Sequence, residues 1–286
     1  MMGRLIGALL LLCCAFNAAA KQQERPNILL LMAEDMSARV GAFGDPVAIT
    51  PNLDALAAQG VMYPNTYTTA GVCAPSRAAH ILGMHQISTG TQHMRSGGGP
   101  DGGYKSVPPE EVKAYPELLR GGGYYTYTGY KLDYQFSGPR YGSGPFTVWD
   151  DEGLGTHWRN REPGQPFYGL VNFQVTHESG VFRPLGNWPN SMTHLVLQVL
   201  RALRSPEVAA SGVVAPEDVS LPPYYPDTPT VRADVARHYN NIAVMDAEVG
   251  ALLRQLEEDG LADSTIVIWT TDHGDGLPRG KRELYD

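Results

Sequence analysis

The sequence predicts an α/β fold, a three-layer α/β/α sandwich around a mostly parallel central sheet. Three observations carry that expectation. Residues 27–33 and 264–269 are unbroken apolar or β-branched runs, the pattern of strands buried on both faces. Helical segments separate the strand-like ones along the chain, which favours crossover connections and parallel pairing. Residues 231–259 keep Val231, Val235, Ile242, Met245, Val249, Leu252, Leu253 and Leu256 near a 3.6-residue period, and Gly260 ends the run.

The elements follow in order. Residues 1–20 read as a signal peptide: Arg4 precedes an apolar stretch over 5–16, and Ala18-Ala19-Ala20 supplies small residues for cleavage before Lys21. The stretch is too short to span a bilayer comfortably, so no stable membrane span is expected and the folded domain occupies 21–286. Such a leader places the protein in the periplasm or outside the cell. Pro26 precedes the first strand. Thr50 as cap and Pro51 at the first position open a helix through Asp54, Leu56 and Ala58, closed by Gly60. Residues 61–67 read as a further strand. A helix is expected over 76–84, beginning just after Pro75, and 85–110 is a Gly/Pro-rich loop. Residues 115–120 are helical, ended by Gly121-Gly122-Gly123, and 124–128 and 166–175 are strands. The stretch 178–230 is irregular, with one helix near 192–204.

Composition narrows the function. Among 286 residues, 22 Lys+Arg against 30 Asp+Glu give a formal net charge of −8. That excludes general nucleic-acid binding, and an anionic substrate would need local cations or a metal to hold it. Of three cysteines, Cys13 and Cys14 leave with the leader, so Cys73 has no partner for an internal disulfide.

In parallel α/β folds chemistry gathers at the carboxyl ends of strands. Two predicted strand ends carry acids: Glu34-Asp35 after the first and Asp272-His273-Gly274 after the last. Adjacent carboxylates repel unless a cation lies between them, and oxygen ligands suit Ca²⁺ or Mg²⁺. Taken alone, Glu34-Asp35 reads better as a solvated loop pair, and Asp272-His273-Gly274 reads equally as an Asp-Gly turn. Cys73 faces a helix N-terminus, with Arg77 one turn away. That position favours anions and lowers a thiol pKa, which leaves a thiolate nucleophile open, although no paired His base is identifiable.

Cys73-Ala74-Pro75-Ser76-Arg77 resembles the Cys-x-Pro-Ser-Arg motif of the formylglycine-dependent sulfatases. The flanking text resembles them in the same order: Arg25-Pro-Asn-Ile-Leu-Leu-Leu, the acidic pair, Thr50-Pro-Asn-Leu-Asp-Ala-Leu-Ala, Ile81-Leu82-Gly83 and Thr270-Thr-Asp-His-Gly. The likeness covers nearly all of 25–286. Leu221-Pro-Pro-Tyr-Tyr-Pro-Asp-Thr-Pro, Arg232-Ala-Asp and the ending Pro278-Arg-Gly-Lys-Arg-Glu-Leu-Tyr look most like the branch that includes the heparan N-sulfatases, or sulfamidases.

The resemblance implies an alkaline-phosphatase-like fold and hydrolysis of sulfuric esters or N-sulfates, on sulfated carbohydrate. It implies that a formylglycine-generating enzyme converts Cys73 to Cα-formylglycine. It further implies that Glu34, Asp35, Asp272 and His273, with residue 73, surround Ca²⁺ or Mg²⁺. One hydroxyl of the hydrated aldehyde attacks sulfur, and the other then expels sulfate. Arg77 orients the gem-diol, Lys131 matches a strand-end lysine, His177 helps protonate the leaving group, and Lys281 binds sulfate. His93 and Arg95 are rim contacts or plain loop, and His80 is packing or a support behind the site, left out of the candidate set. Three departures stand out: Glu34 replaces a common Asp, His273 a common Asn, and Asp133 a common His. The alternatives are a phosphonate or phosphodiester hydrolase on the same scaffold, or an inactive truncated relative. The chain stops at Asp286, where the family continues into a smaller C-terminal subdomain. The resemblance therefore implies an incomplete catalytic domain, with Lys281 in a frayed tail.

Overall fold

The computed structural model describes residues 25–94, 103–137, 147–182 and 213–277, with the isolated positions 192, 195, 196, 199 and 203. The leader over 1–20, Arg95 and Lys281 lie outside the described residues. The strands are β1 (Asn27–Ala33), β2 (Tyr125–Thr128), β3 (Asp151–Glu152), β4 (Phe167–Phe173) and β5 (Thr265–Thr271). The helices are α1 (Pro51–Ala58), α2 (Cys73–Leu82), α3 (Tyr115–Gly121), the single turn α4 (Ser179–Phe182) and α5 (Pro229–Glu258). The strand order is β3-β2-β4-β1-β5, and every described pairing is parallel.

β1 shows why the apolar runs mark doubly covered strands. Its residues alternate between two cores, as the two-residue period of a strand requires. Leu29, Leu31 and Ala33 pack with Leu53 of α1 and Ile242, Met245, Val249 and Leu256 of α5. Leu30 and Met32 pack on the other face with Ala78, Ile81 and Leu82 of α2 and Leu119 of α3. Helices therefore cover both faces of the sheet at β1, and the fold is the three-layer α/β/α sandwich the sequence predicts. β5, last in the described strand order, is covered on one face only, with Ile266 50 % and Ile268 45 % exposed, which corrects the expectation that 264–269 is buried on both faces. In β4, Gly169 lets Tyr127 cross the strand: a Cβ there would stand 2.3 Å from the Tyr127 ring.

Several expectations need correction. Residues 61–67 form no strand; Val61, Tyr63 and Tyr67 are at least 73 % exposed, so their β propensity has no buried face to serve. α2 begins at Cys73, not after Pro75. A proline in the first turn costs nothing there, because its missing N–H has no intrahelical partner. Ser76 N already donates to Val72 O at 3.1 Å, closing the first turn. Thr50 does not cap α1 with its side chain. Asp246 of α5 does so instead: its Oδ2 accepts the Asn52 N–H at 3.1 Å and Nδ2 at 2.7 Å, and its Oδ1 accepts the Leu53 N–H at 2.8 Å. β3 is a two-residue strand that residue patterning does not predict. Helical backbone at 192, 195, 196, 199 and 203 falls within the expected 192–204 helix. No helix among the described residues is long and apolar enough to cross a membrane.

Candidate active site

Three neighbouring strands deliver their C-terminal residues to one place. Glu34 and Asp35 leave the end of β1. Asp272 and His273 leave β5 beside them, where Asp272 N donates to Ala33 O at 3.1 Å and Asp35 N donates to Asp272 Oδ1 at 3.1 Å. On the other side of β1, Glu34 N donates to Phe173 O at 3.3 Å and Thr176 Oγ1 at 3.2 Å, which brings up His177. Lys131 follows β2, and α2 contributes Cys73 and Arg77. Ser76 Oγ donates to Asp272 O at 2.5 Å and pairs with Thr68 Oγ1 at 2.8 Å, fixing the start of α2 to the β5 turn.

The described non-glycine residues with positive φ are Asp35 (47°), Lys131 (67°) and Asp133 (46°). Such backbone is disfavoured by about 1–3 kcal/mol per residue and clusters where side chains must be aimed.

The pocket is dense in charge. Arg77 reaches Glu34, lies 3.3 Å from Asp272 Oδ2, and donates to Asn172 Oδ1 at 2.7 Å. Lys131 also reaches Glu34, and its Nζ lies 3.7 Å from Cys73 Sγ and 3.8 Å from Asp133. His273 Nε2 is 2.9 Å from Asp35 Oδ1, 3.5 Å from Asp272 Oδ2 and 3.3 Å from Cys73 Sγ. His177 Nε2 is 3.7 Å from Asp35 Oδ2, while its Nδ1 meets Ser179 through Oγ at 3.0 Å and N at 3.3 Å. Ser179 therefore occupies one ring nitrogen and leaves Nε2 turned toward the acids.

Protonation follows from this crowd. Burial works against ionising Glu34, but Arg77 and Lys131 overcome it and hold its carboxyl below the usual range. Burial likewise opposes ionisation of Asp35, and His177 and His273 overcome it, so this carboxyl sits well below that range. Asp272 goes the other way: burial and the neighbouring Glu34 charge raise it. Burial raises the Cys73 thiol well above its ordinary value, with Asp272, Glu34 and Asp35 adding to the effect against Lys131. This corrects the expectation of a helix-activated thiol. An imidazole, His273, does stand beside the sulfur, but three acids oppose the thiolate, so Cys73 is held as a neutral thiol.

The carboxylates of the donor set suit a hard divalent cation, and His273 adds a nitrogen donor. One ligand atom each from Asp35, Cys73, Asp272 and His273 lies within 4.8 Å of the others, and the same holds for Glu34, Asp35, Cys73 and His177. Three carboxylates converge, and Asp272 is disfavoured as an anion until positive charge arrives.

Eight of the nine sequence-predicted catalytic and metal-site residues thus meet in one pocket; Lys281 lies outside the described residues. His93 is exposed and packs edge-on to Tyr104 at 6.5 Å, and His80 bonds the Tyr115 hydroxyl at 3.1 Å. Sequence reasoning missed Asn172, Thr176 and Ser179. Asn172 alone carried a signal, as an amide near the end of the apolar β4 run, and its Nδ2 donates to Tyr130 O at 3.0 Å.

Residues 26–285 match the family model described as Sulfatase. The chain is 42 % identical to an ulvan-active sulfatase of Formosa agariphila, over 93 % of this chain and 46 % of that protein. It is 27 % identical to the human N-sulphoglucosamine sulphohydrolase, over 96 % of this chain and 56 % of that one. Among solved structures it resembles a 2-O GAG sulfatase, with a TM-score of 0.60 and 19 % identity, covering 88 % of this chain and 59 % of that one. It also resembles the phosphonate monoester hydrolase of Agrobacterium radiobacter, with a TM-score of 0.56 and 18 % identity, covering 87 % and 63 %. These structures share the alkaline-phosphatase-like fold. The chain spans about half the length of the curated relatives it matches.

Proposed function

The chain belongs to the sulfatase family, and from that premise we propose that it hydrolyses sulfuric ester or N-sulfate bonds of sulfated carbohydrate. The observation that carries the proposal is the meeting of Cys73 with Glu34, Asp35, Asp272, Arg77 and Lys131 at the carboxyl ends of β1 and β5. Relatives named for ulvan and for N-sulphoglucosamine support a glycan substrate.

A Ca²⁺ or Mg²⁺ ion held by Glu34, Asp35, Asp272 and His273 would supply Lewis-acid polarisation of the sulfate oxygens and the nucleophile. Residue 73, oxidised to formylglycine by a formylglycine-generating enzyme, would supply the nucleophilic hydroxyl as its hydrate. A neutral buried thiol with no cysteine partner fits a residue destined for modification better than one acting as a thiolate. Around it the chain's own groups divide the work. Arg77, fixed by Glu34, Asp272 and Asn172 one turn from residue 73, would orient the hydrated aldehyde. Lys131 Nζ is close enough to Sγ to bond an oxygen built at that position. Arg77 and Lys131 also answer the charge problem, since an anion entering a chain of net charge −8 needs local cations. His177, with Nδ1 held by Ser179, presents Nε2 as the proton donor to the departing oxygen or nitrogen. Lys281 contributes a further sulfate contact.

The leader over 1–20 supports export to the periplasm or outside the cell. The likeness to a phosphonate monoester hydrolase keeps a phosphodiester reading in view. Both are tested by measuring sulfate release from sulfated saccharides beside aryl phosphodiester cleavage, using wild type, Cys73→Ala and chelated enzyme. Sulfate release lost in both controls supports the proposal. Faster phosphodiester cleavage than sulfate release would reverse it.

A further inference from the structure

Behind the pocket lies a second polar cluster with no part in the chemistry above. Asp275 Oδ1 accepts the Ser37 N–H at 3.1 Å, and its Oδ2 pairs with the Arg39 guanidinium at 2.7 Å. His238 of α5, only 1 % exposed, places Nε2 3.6 Å from Asp275 Oδ1. Arg39 lies over the Tyr239 ring at 5.1 Å, and the Tyr239 hydroxyl donates to Asp45 at 2.7 Å. One carboxylate therefore ties together the loop after β1, the turn after β5 and helix α5.

Those two loops carry the acids of the pocket. Ser37 stands just after Asp35, and Asp275 just after Asp272 and His273. They also touch directly: Gly276 N donates to Asp35 O at 3.4 Å, and a Cβ at position 276 would lie 2.9 Å from Asp35 Cγ. Backbone bonds already join these loops, but like charge pushes the Asp35 and Asp272 carboxylates apart as they ionise, so a tie outside the pocket would set how far apart they stand. We propose that Asp275 and Arg39 form a positioning pair that clamps the 272–276 turn to the 34–39 loop and presets the separation of Asp35 from Asp272 and His273. The proposal rests on the cation site described above.

The test is calorimetric titration of the full chain, in its thiol form, with CaCl₂ alone. Asp275→Asn keeps an acceptor for Ser37 but strips the partner charge from Arg39. The double variant Arg39→Met/Asp275→Asn removes both charges and leaves no unpaired buried ion, so it keeps the test open should the single variant fail to fold. Arg39→Lys keeps the charge without the guanidinium fork. Outer groups that orient metal ligands are generally worth about 10–100-fold in affinity. The double variant should melt cooperatively and bind Ca²⁺ on the order of tenfold or more weakly. Arg39→Lys should fall between it and wild type. A double or Arg39→Lys variant with wild-type affinity overturns the clamp alone. A wild type that binds neither Ca²⁺ nor Mg²⁺ overturns the cation site and the clamp with it.

Discussion

Glu34→Gln and Asp272→Asn each remove one negative charge from the same pocket, and the structure predicts opposite effects on the cation-free protein. Glu34 is fully buried and faces both Arg77 and Lys131. Removing its charge strands two buried cations, and breaking a buried ion pair costs about 3–5 kcal/mol. Asp272 at 3.3 Å from Arg77 and Asp133 at 3.8 Å from Lys131 remain as partial partners, so the lower end, about 3 kcal/mol, applies. At roughly 2–4 °C per kcal/mol, the melting temperature should fall by roughly 6–12 °C. Asp272 is different, because burial and Glu34 already disfavour its charge. The Asn amide oxygen can still accept the Asp35 N–H, so Asp272→Asn should melt at or above wild type. The assay is scanning calorimetry of the unmatured thiol protein in excess chelator. A Glu34→Gln protein melting at or above wild type would refute the reasoning. So would an Asp272→Asn protein that falls as far as Glu34→Gln.

Three further predictions follow from single side chains. Asp246→Ala strips the cap from α1, leaving the Asn52 and Leu53 N–H groups without their acceptor, and should cost about 2–3 kcal/mol by denaturant titration. Ser179→Ala frees Nδ1 of His177 from its hydroxyl partner. It should lower kcat on the order of tenfold at unchanged KM and melting temperature, as steady-state kinetics would show. Desolvation along α2 and then Arg77 lower the His80 pKa, but the side chain is exposed, so solvent screens part of the shift. The unfolded chain therefore takes up that proton first, and stability falls as pH drops below about 6.5. In His80→Gln the melting temperature should decline less between about pH 7 and pH 5.

The strands most legible in the sequence were those whose patterning has one cause. β1 lies between β4 and β5, with helices on both faces, so Ile28 through Ala33 all meet apolar neighbours and the run is continuous. Residues 61–67 carry similar residue types without any partner surface, and local propensity misreads them. β3 is too short to show a period. Pro75 marks the first turn of α2 rather than its boundary, which displaced the predicted start. In the pocket, residue types and chain order announced the acids, the cysteine motif and the strand-end His177. Asn172, Ser179 and Asp246 act across distances that only the folded chain defines: Asp246 reaches a helix 193 residues away in sequence. The Cys73 thiol shows the same limit. Its place at a helix start argued for a lowered pKa, but folding buries the thiol and sets Asp272, Glu34 and Asp35 around it, which reverses the sign.

The central claim is that Cys73 is the seat of catalysis as formylglycine. It is tested most directly by mass spectrometry of the Cys73 peptide from an active preparation, with an aldehyde-reactive hydrazide as the label. The account predicts that the peptide carries the formylglycine mass, takes the label, and does so in proportion to sulfate turnover, while Cys73→Ala shows neither label nor activity. An active preparation holding only the free thiol at residue 73 would contradict it.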